Sequence, residues 1–266
     1  MRRLLLVAAS IFTALIITVL APGRALAEEA LPTPPHGFRP PPPAPVKPYK
    51  PVAVTPPAPF DDASFEAFRK NLAGVAARKD RAALAAQIVV HGFFWLQQKN
   101  LADNGKPGID NLAEAIGLDA KDSSGWDVVA AAAAEPTAAE VPQHKGLFCS
   151  PAPPTFDPQA IDDLLQQTDT DPAEWAYPIN SGTDARADAQ PNAHIVDKLG
   201  LYLVRVLTDS AADNPETPAF LHVALPSGKT GFVATEALAP LVTDQICYTK
   251  EASGWKIAGY IGGVPQ

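Results

Sequence analysis

The sequence predicts an α+β fold with a mainly helical N-terminal region, a small β-barrel and a C-terminal β-hairpin. Three observations predict it. Apolar residues recur at helical spacing from residue 61 to about 140, short apolar alternations separated by turn residues follow residue 175, and two strand-like runs close the chain. Many short strands in a short stretch of chain are typical of a small barrel.

The N-terminus has the composition of a secretory signal. Arg2 and Arg3 precede the uncharged apolar run Leu4–Leu20, and residues 25–27 (Ala-Leu-Ala) place small side chains where a signal peptidase cleaves. This pattern predicts a signal peptide at residues 1–27 and a protein exported to the periplasm or secreted. An uncleaved N-terminal anchor is the alternative, because the apolar run is just long enough to span a bilayer.

A proline-rich linker is predicted at residues 28–60. Residues 31–60 contain 13 of the 29 prolines of the chain, including the run Pro40–Pro43. Proline has a fixed φ and no amide donor, so we expect this segment to be extended or disordered. It would act as a spacer, and the alternative is a ligand that a partner recognises.

Residues 61–170 are predicted to form a mainly helical domain. After a cap at Asp62 or Ser64, Phe65, Leu72 and Val75 fall on one helical face. The other helix signals lie after Asp80 and Asp157 and within Asn111–Leu118 and Trp126–Ala134. The aromatic run His91–Leu96 is compatible with a strand or a buried turn.

The strand candidates of residues 175–242 follow a recognisable order. An arginine-bearing segment, Asp184–Ala187, precedes the strand Leu203–Leu207, and the hairpin Phe220–Val233 ends in Gly-aromatic-Val. This quarter of the chain resembles a bacterial SH3-like (SH3b) domain. It departs from the family at Phe220 and Phe232, where tryptophan is usual, and in the insert Asp209–Ala219.

The SH3-like resemblance implies ligand binding without catalysis, often to cell-wall peptide or glycan. The candidate ligand-binding residues are Tyr177, Tyr202 and Phe232, which offer aromatic contact area, and Arg186, which can hold a carboxylate through two hydrogen bonds. The alternative is that the aromatic residues belong to the barrel core and that Arg186 is a surface charge.

Residues 243–266 are predicted to form the C-terminal β-hairpin, from the runs Ile246–Thr249 and Trp255–Tyr260. With the N-terminal helical pair and its aromatic run, this ending is faintly similar to cystatin-like α+β folds. That resemblance implies that the hairpin packs back on the helical domain and that the barrel is inserted into a larger fold. A helical domain followed by a barrel with an extra hairpin is the alternative.

Cys149 and Cys247 are the two cysteines of the chain, and both lie in the part predicted to be exported. A cysteine pair in an oxidising compartment usually forms a disulfide. Two buried thiols are the alternative. Cys149 is followed by Ser-Pro rather than by the Ser-Gly found after the nucleophile of cell-wall cysteine endopeptidases, which argues against a catalytic role.

Charge and motifs narrow the function classes. The net charge of −8 disfavours nucleic-acid partners and strong binding to anionic membrane surfaces. The five histidines form no His-Glu-x-x-His pair and no Cys-x-x-Cys is present, so no metal, cofactor or catalytic residue is predicted. The sequence therefore predicts a non-enzymatic envelope protein that contacts peptidoglycan or another envelope protein. A cell-wall hydrolase or its accessory, with a site in the helical region, is the alternative.

Overall fold

The computed structural model describes residues 46–142, 144–207 and 218–262. The predicted signal peptide, residues 28–45 of the predicted linker and most of the insert Asp209–Ala219 lie outside these ranges. Helices and two β-sheets are both present, which confirms the α+β class.

The helices lie mainly before residue 140, and three of the five described begin at an aspartate cap. Their bounds are α1 Ala63–Arg78, α2 Arg81–Ala85, α3 Gly108–Ile116, α4 Ser124–Ala134 and α5 Pro158–Thr168. The carboxylate of Asp62 accepts hydrogen bonds from the amides of Ser64 and Phe65, at 2.8 and 2.9 Å, and so caps α1. Asp80 and Asp157 cap α2 and α5 in the same way, as the sequence predicted.

The first sheet combines strands from both ends of the described chain. Its strands are β1 Phe94–Leu96, β2 Ala139–Val141, β3 His144–Ser150, β11 Gln245–Glu251 and β12 Gly254–Ile261. They lie in the order β1-β12-β11-β3-β2, with β1 parallel to β12 and the other pairs antiparallel. The predicted C-terminal hairpin is therefore part of the sheet on which the helices pack.

Helix α1 and the hairpin share one hydrophobic core. Phe65 of α1 contacts Tyr248 and Trp255, with ring centroids 5.1 and 5.0 Å apart. At the other edge of the hairpin, β1 approaches β12 so closely that a Cβ at Gly259 would collide with the ring of Phe94. A glycine is thus required where these two strands meet.

The second sheet is formed by consecutive strands. They are β4 Trp175–Pro178, β5 Thr183–Arg186, β6 Ile195–Leu199, β7 Val204–Val206, β8 Phe220–Ala224, β9 Thr230–Ala234 and β10 Leu238–Pro240. The order is β10-β4-β7-β8-β9-β5-β6, and the sheet curls into a half-barrel around a core that includes Leu199, Val223 and Val233. The predicted small barrel is present as this open, curled sheet, in which β10 and β6 are the edges among the described strands. Pro240 in β10 has no amide to donate to a further strand.

The half-barrel is inserted in sequence between β3 and β11 of the first sheet. This topology agrees with the interpretation in which the barrel interrupts a larger fold, and not with a helical domain followed by a separate barrel. Residues 61–170 contain all five described α-helices, together with β1 and the two strands β2 and β3, which were not predicted. Strand β3 pairs with β11, almost 100 residues later, and β2 pairs with β3, so local patterns do not reveal either strand.

The predicted disulfide is present. Cys149 and Cys247 face each other across β3 and β11, are both buried, and lie 98 positions apart in the chain. The bond therefore joins the two points at which the chain leaves and re-enters the first sheet. In the chain-entropy description, closing a loop of this length stabilises the folded state by about 4.7 kcal/mol.

Residues 46–60, which we name the strap, differ from the disordered linker predicted for residues 28–60. Tyr49, Val52 and Val54 are buried against the half-barrel and α5. The backbone carbonyl of Val52 accepts a hydrogen bond from the amide of Leu203, at 3.0 Å. The prolines hold the strap extended, so alternate apolar side chains reach the same surface, and burial of these side chains outweighs the loss of chain entropy.

Candidate functional site

A groove with a volume of about 650 Å³ lies between the two sheets. We name it the proline-walled groove. The strap forms one wall, the loop after β3 a second, and β10 with the residues that follow it a third. Eight prolines line it: Pro56, Pro57, Pro59, Pro136, Pro151, Pro153, Pro154 and Pro240.

Proline suits such a wall for two physical reasons. Its ring is rigid, so a surface built from it loses little conformational entropy when it binds another molecule. It also lacks an amide donor, so the wall can be apolar without leaving backbone N–H groups unpaired. The groove is thus a preformed apolar surface rather than a polar cleft.

Strand β4 and the residue that follows it place two large side chains in the groove. Tyr177 is buried, and burial raises the pKa of its hydroxyl, with the negative charge of Glu135 adding to the effect. Ile179 follows Tyr177 on the same side and is 44% exposed. Its amide donates to the carbonyl of Ala237, at 3.1 Å, which holds the backbone beside the groove. Ile179 therefore offers exposed apolar surface at a fixed position.

The polar side chains of the groove are largely engaged with the protein itself. The hydroxyl of Thr137 donates to Glu135 Oε1 at 2.6 Å and accepts from the amide of Ala152 at 2.9 Å. The amide nitrogen of Gln245 donates to the carbonyl of Pro151 at 2.6 Å. Of the described residues that line the groove, Glu135 alone carries a charge. Few polar groups are left to recognise a ligand.

Arg186 and Phe232 lie together on the outer face of the half-barrel, away from the groove lining. Arg186 faces Phe232 across β5 and β9, and the ring of Phe232 stacks on His222 with centroids 4.6 Å apart. The guanidinium of Arg186 donates to Asp184 Oδ2 at 2.9 Å and to the carbonyl of Ala193 at 3.0 Å. Two of its five N–H groups are therefore used within the protein, and the role of Arg186 in binding a carboxylate stays a prediction.

Tyr202 lies neither in the proline-walled groove nor beside Arg186 and Phe232. It is partly buried, packs on the half-barrel core and bridges to Ala53 of the strap. Burial raises the pKa of its hydroxyl. The structure thus does not bring the four predicted ligand residues into one site, because Tyr177 lines the groove, Tyr202 supports the strap, and Arg186 pairs with Phe232.

Sequence reasoning missed the residues that build the groove. The cluster Pro56–Pro59 was assigned to the linker, the cluster Pro151–Pro154 falls within the residues predicted to form the helical domain, and the two are about 100 positions apart. Their composition was the available signal, since two short proline clusters on either side of a helical region are unusual. Only the folded chain shows that they face each other.

Two features of the described ranges concern metal binding and membrane crossing. No group of three or more His, Cys, Asp or Glu side chains there is arranged to hold a metal ion. None of the helices described has both the length and the apolar character needed to cross a bilayer. Both cysteines are bonded to each other.

Comparison with known protein families, with curated proteins and with solved structures finds no match to this chain. The resemblance of residues 175–242 to an SH3-like domain therefore stays a prediction.

Proposed function

We propose that this chain is an exported, non-enzymatic binding protein of the cell envelope, and that the proline-walled groove holds an apolar segment of another envelope protein. The observation that carries the proposal is the lining of the groove, with eight prolines, the exposed Ile179 and a single charged side chain. Preformed apolar clefts of this size are typical binding sites.

The chemistry of the groove favours a protein segment over a glycan. A glycan presents many hydroxyl groups, and burying them without hydrogen-bond partners is costly. The side chains of Thr137 and Gln245 already donate hydrogen bonds to neighbouring atoms of this protein. An apolar peptide segment needs few such partners, and a basic residue beside it would complement Glu135.

Export is supported by two features of the chain. The N-terminal pattern is that of a secretory signal, and the buried disulfide between Cys149 and Cys247 is of the kind that forms in oxidising compartments. The predicted SH3-like segment supplies β4 and β10 to the groove wall. Binding would therefore use the half-barrel and the strap together, not the half-barrel alone.

Site-specific photocrosslinking in the producing cell tests this proposal. A photoreactive amino acid replaces Ile179 in the groove or, as a control, Ile195 on β6, and these two isoleucines are 44% and 37% exposed. We expect one discrete protein adduct from position 179 and none from position 195. Mass spectrometry identifies the partner for the next step.

Binding of the purified partner is then measured for Ile179→Glu, Glu135→Gln and Ile195→Glu. We expect the first two substitutions to weaken binding and the third to leave it unchanged. Purified peptidoglycan forms the competing arm. If the wild-type protein is retained on peptidoglycan and Ile179→Glu is not, the groove recognises the cell wall and the proposal fails.

A further inference from the structure

A second cavity, of about 560 Å³, lies between α1, α2 and the turn that joins β11 to β12. We name it the hairpin pocket. It is formed by different elements from the proline-walled groove, so an inference about it does not rest on the function proposed above.

The hairpin pocket carries two cationic side chains. Arg78, in the last turn of α1, is exposed and makes no ion pair with any carboxylate of the described residues. Lys256 of β12 donates to the backbone carbonyl of Ala86 and likewise has no carboxylate partner there. No Asp or Glu is among the described residues that line the pocket. The pocket is therefore positive in a chain whose net charge is −8.

Two basic residues on the same helices do have carboxylate partners. Lys70 lies 2.6 Å from Glu66, and Arg81 lies 2.9 Å from Asp110. Arg69 of α1 donates instead to the carbonyls of Ala133 and Ala134, so carboxylates accompany some of the basic residues on these helices and not others. Arg78 also interacts favourably with the C-terminal dipole of α1, but that interaction does not need a pocket.

A buried acceptor completes the polar part of the pocket. Gln87 is 8% exposed, and its Oε1 has no hydrogen-bond partner among the described residues. Its backbone is held in place, because its carbonyl accepts from the amide of Ile257 at 2.8 Å and its amide donates to Leu84. An unpaired buried acceptor is unfavourable, so an incoming N–H group would offset that cost.

Aromatic surface lies beside these polar groups. Phe68 of α1 and Trp255 of β12 both line the pocket. The indole nitrogen of Trp255 donates to Ser64 Oγ at 3.0 Å, which fixes the orientation of the ring. An apolar side chain of a ligand would find a rigid contact surface here.

We propose that the hairpin pocket binds the C-terminal residue of a peptide. Arg78 and Lys256 hold the terminal carboxylate, Gln87 accepts from the last amide N–H, and Phe68 with Trp255 contacts an apolar side chain. An inorganic phosphate fits less well, because its oxygens act mainly as acceptors and leave Gln87 unpaired. Arginine binds carboxylates through paired hydrogen bonds, which makes Arg78 the principal determinant.

The experiment titrates the mature protein with N-acetyl-L-phenylalanine and follows the indole N–H resonance of Trp255, assigned with Trp255→Phe. We expect a saturable shift. N-acetyl-L-phenylalanine amide lacks the carboxylate and 3-phenylpropanoate lacks the N–H, so each should bind at least about tenfold more weakly, the factor for a lost charged or buried hydrogen bond.

Matched variants locate the site. Arg78→Gln should weaken binding by at least about tenfold, whereas Lys121→Gln, an equal charge change at another exposed position, should not. Gln87→Met should remove the preference for N-acetyl-L-phenylalanine over 3-phenylpropanoate. If that variant fails to fold, the comparison of the two ligands on the wild-type protein tests the same contact.

Several results would overturn the proposal. They are the absence of a saturable shift in the millimolar range, equal binding of the acid and its amide, and displacement of the ligand by inorganic phosphate at equal concentration. A purely structural role of Arg78 would lower stability in Arg78→Gln and leave ligand affinity unchanged, which would also contradict it.

Discussion

Substitution of Tyr49 tests most directly whether the strap belongs to the folded protein. Tyr49 is 5% exposed, and its hydroxyl donates to the carbonyl of Ala224 at 2.9 Å. Its ring meets that of Trp175 edge to face, with centroids 5.1 Å apart. Tyr49→Phe removes only the hydrogen bond, and Tyr49→Ala removes the ring as well.

The expected magnitudes follow from these contacts. Losing the hydroxyl leaves a buried carbonyl without this donor, which should lower the free energy of unfolding by about 1–2 kcal/mol. Truncating the buried ring should cost about 3–5 kcal/mol. Urea unfolding with tryptophan fluorescence as the signal measures both values, because the midpoint falls in proportion to the free energy at constant slope.

Tyr202→Phe is the control, since Tyr202 is only partly buried, and it should change stability by less than about 0.5 kcal/mol. Cleavage by chymotrypsin after residue 49 gives a second readout, and Tyr49→Phe should accelerate it while keeping a cleavable aromatic residue. If Tyr49→Ala unfolds at the wild-type midpoint, the strap does not pack on the half-barrel and the argument is wrong.

Three further changes have definite expected outcomes. Replacing Cys149 and Cys247 together by alanine should lower the free energy of unfolding by about 4 kcal/mol in a urea titration, and an unchanged midpoint would contradict the loop-closure argument. Gly259→Ala should destabilise by about 1–3 kcal/mol because its Cβ meets an aromatic ring, whereas Gly74→Ala in α1 should stabilise by about 0.5–1 kcal/mol; calorimetry showing equal effects would refute this contrast. Burial raises the pKa of Tyr248, so its neutral form is favoured in the folded state, and stability should decline as the pH rises above about 10, where unfolded tyrosine ionises. Tyr248→Phe should flatten that decline in unfolding measurements between neutral and alkaline pH, and an identical slope would argue against it.

Local signals predicted the helices well. Asp62 precedes an amphipathic stripe, and a cap followed by helical periodicity needs no information from distant residues. The disulfide could also be predicted, because two cysteines in a chain predicted to be exported have one intramolecular partner each. Strand β3 was missed, since His144–Ser150 has no clear alternation and is stabilised by β11.

The candidate site was predicted only in part. Tyr177 does line the groove, although it was chosen for its place in a predicted barrel. The ion pair between Arg186 and Asp184 could have been predicted from the sequence, because residues i and i+2 of a strand lie on the same face. Nothing in the sequence showed that two proline clusters would face each other across a groove.

The sequence by itself determined the α+β class, the helix caps at Asp62, Asp80 and Asp157, and the pairing of the two cysteines, because each depends on short-range pattern or on composition. Only the tertiary structure decided that the half-barrel is inserted into the first sheet, that the strap is buried, and that the prolines form one groove. These features depend on contacts between residues about 100 or more positions apart. Such contacts stabilise the fold, but they produce no local periodicity in the sequence.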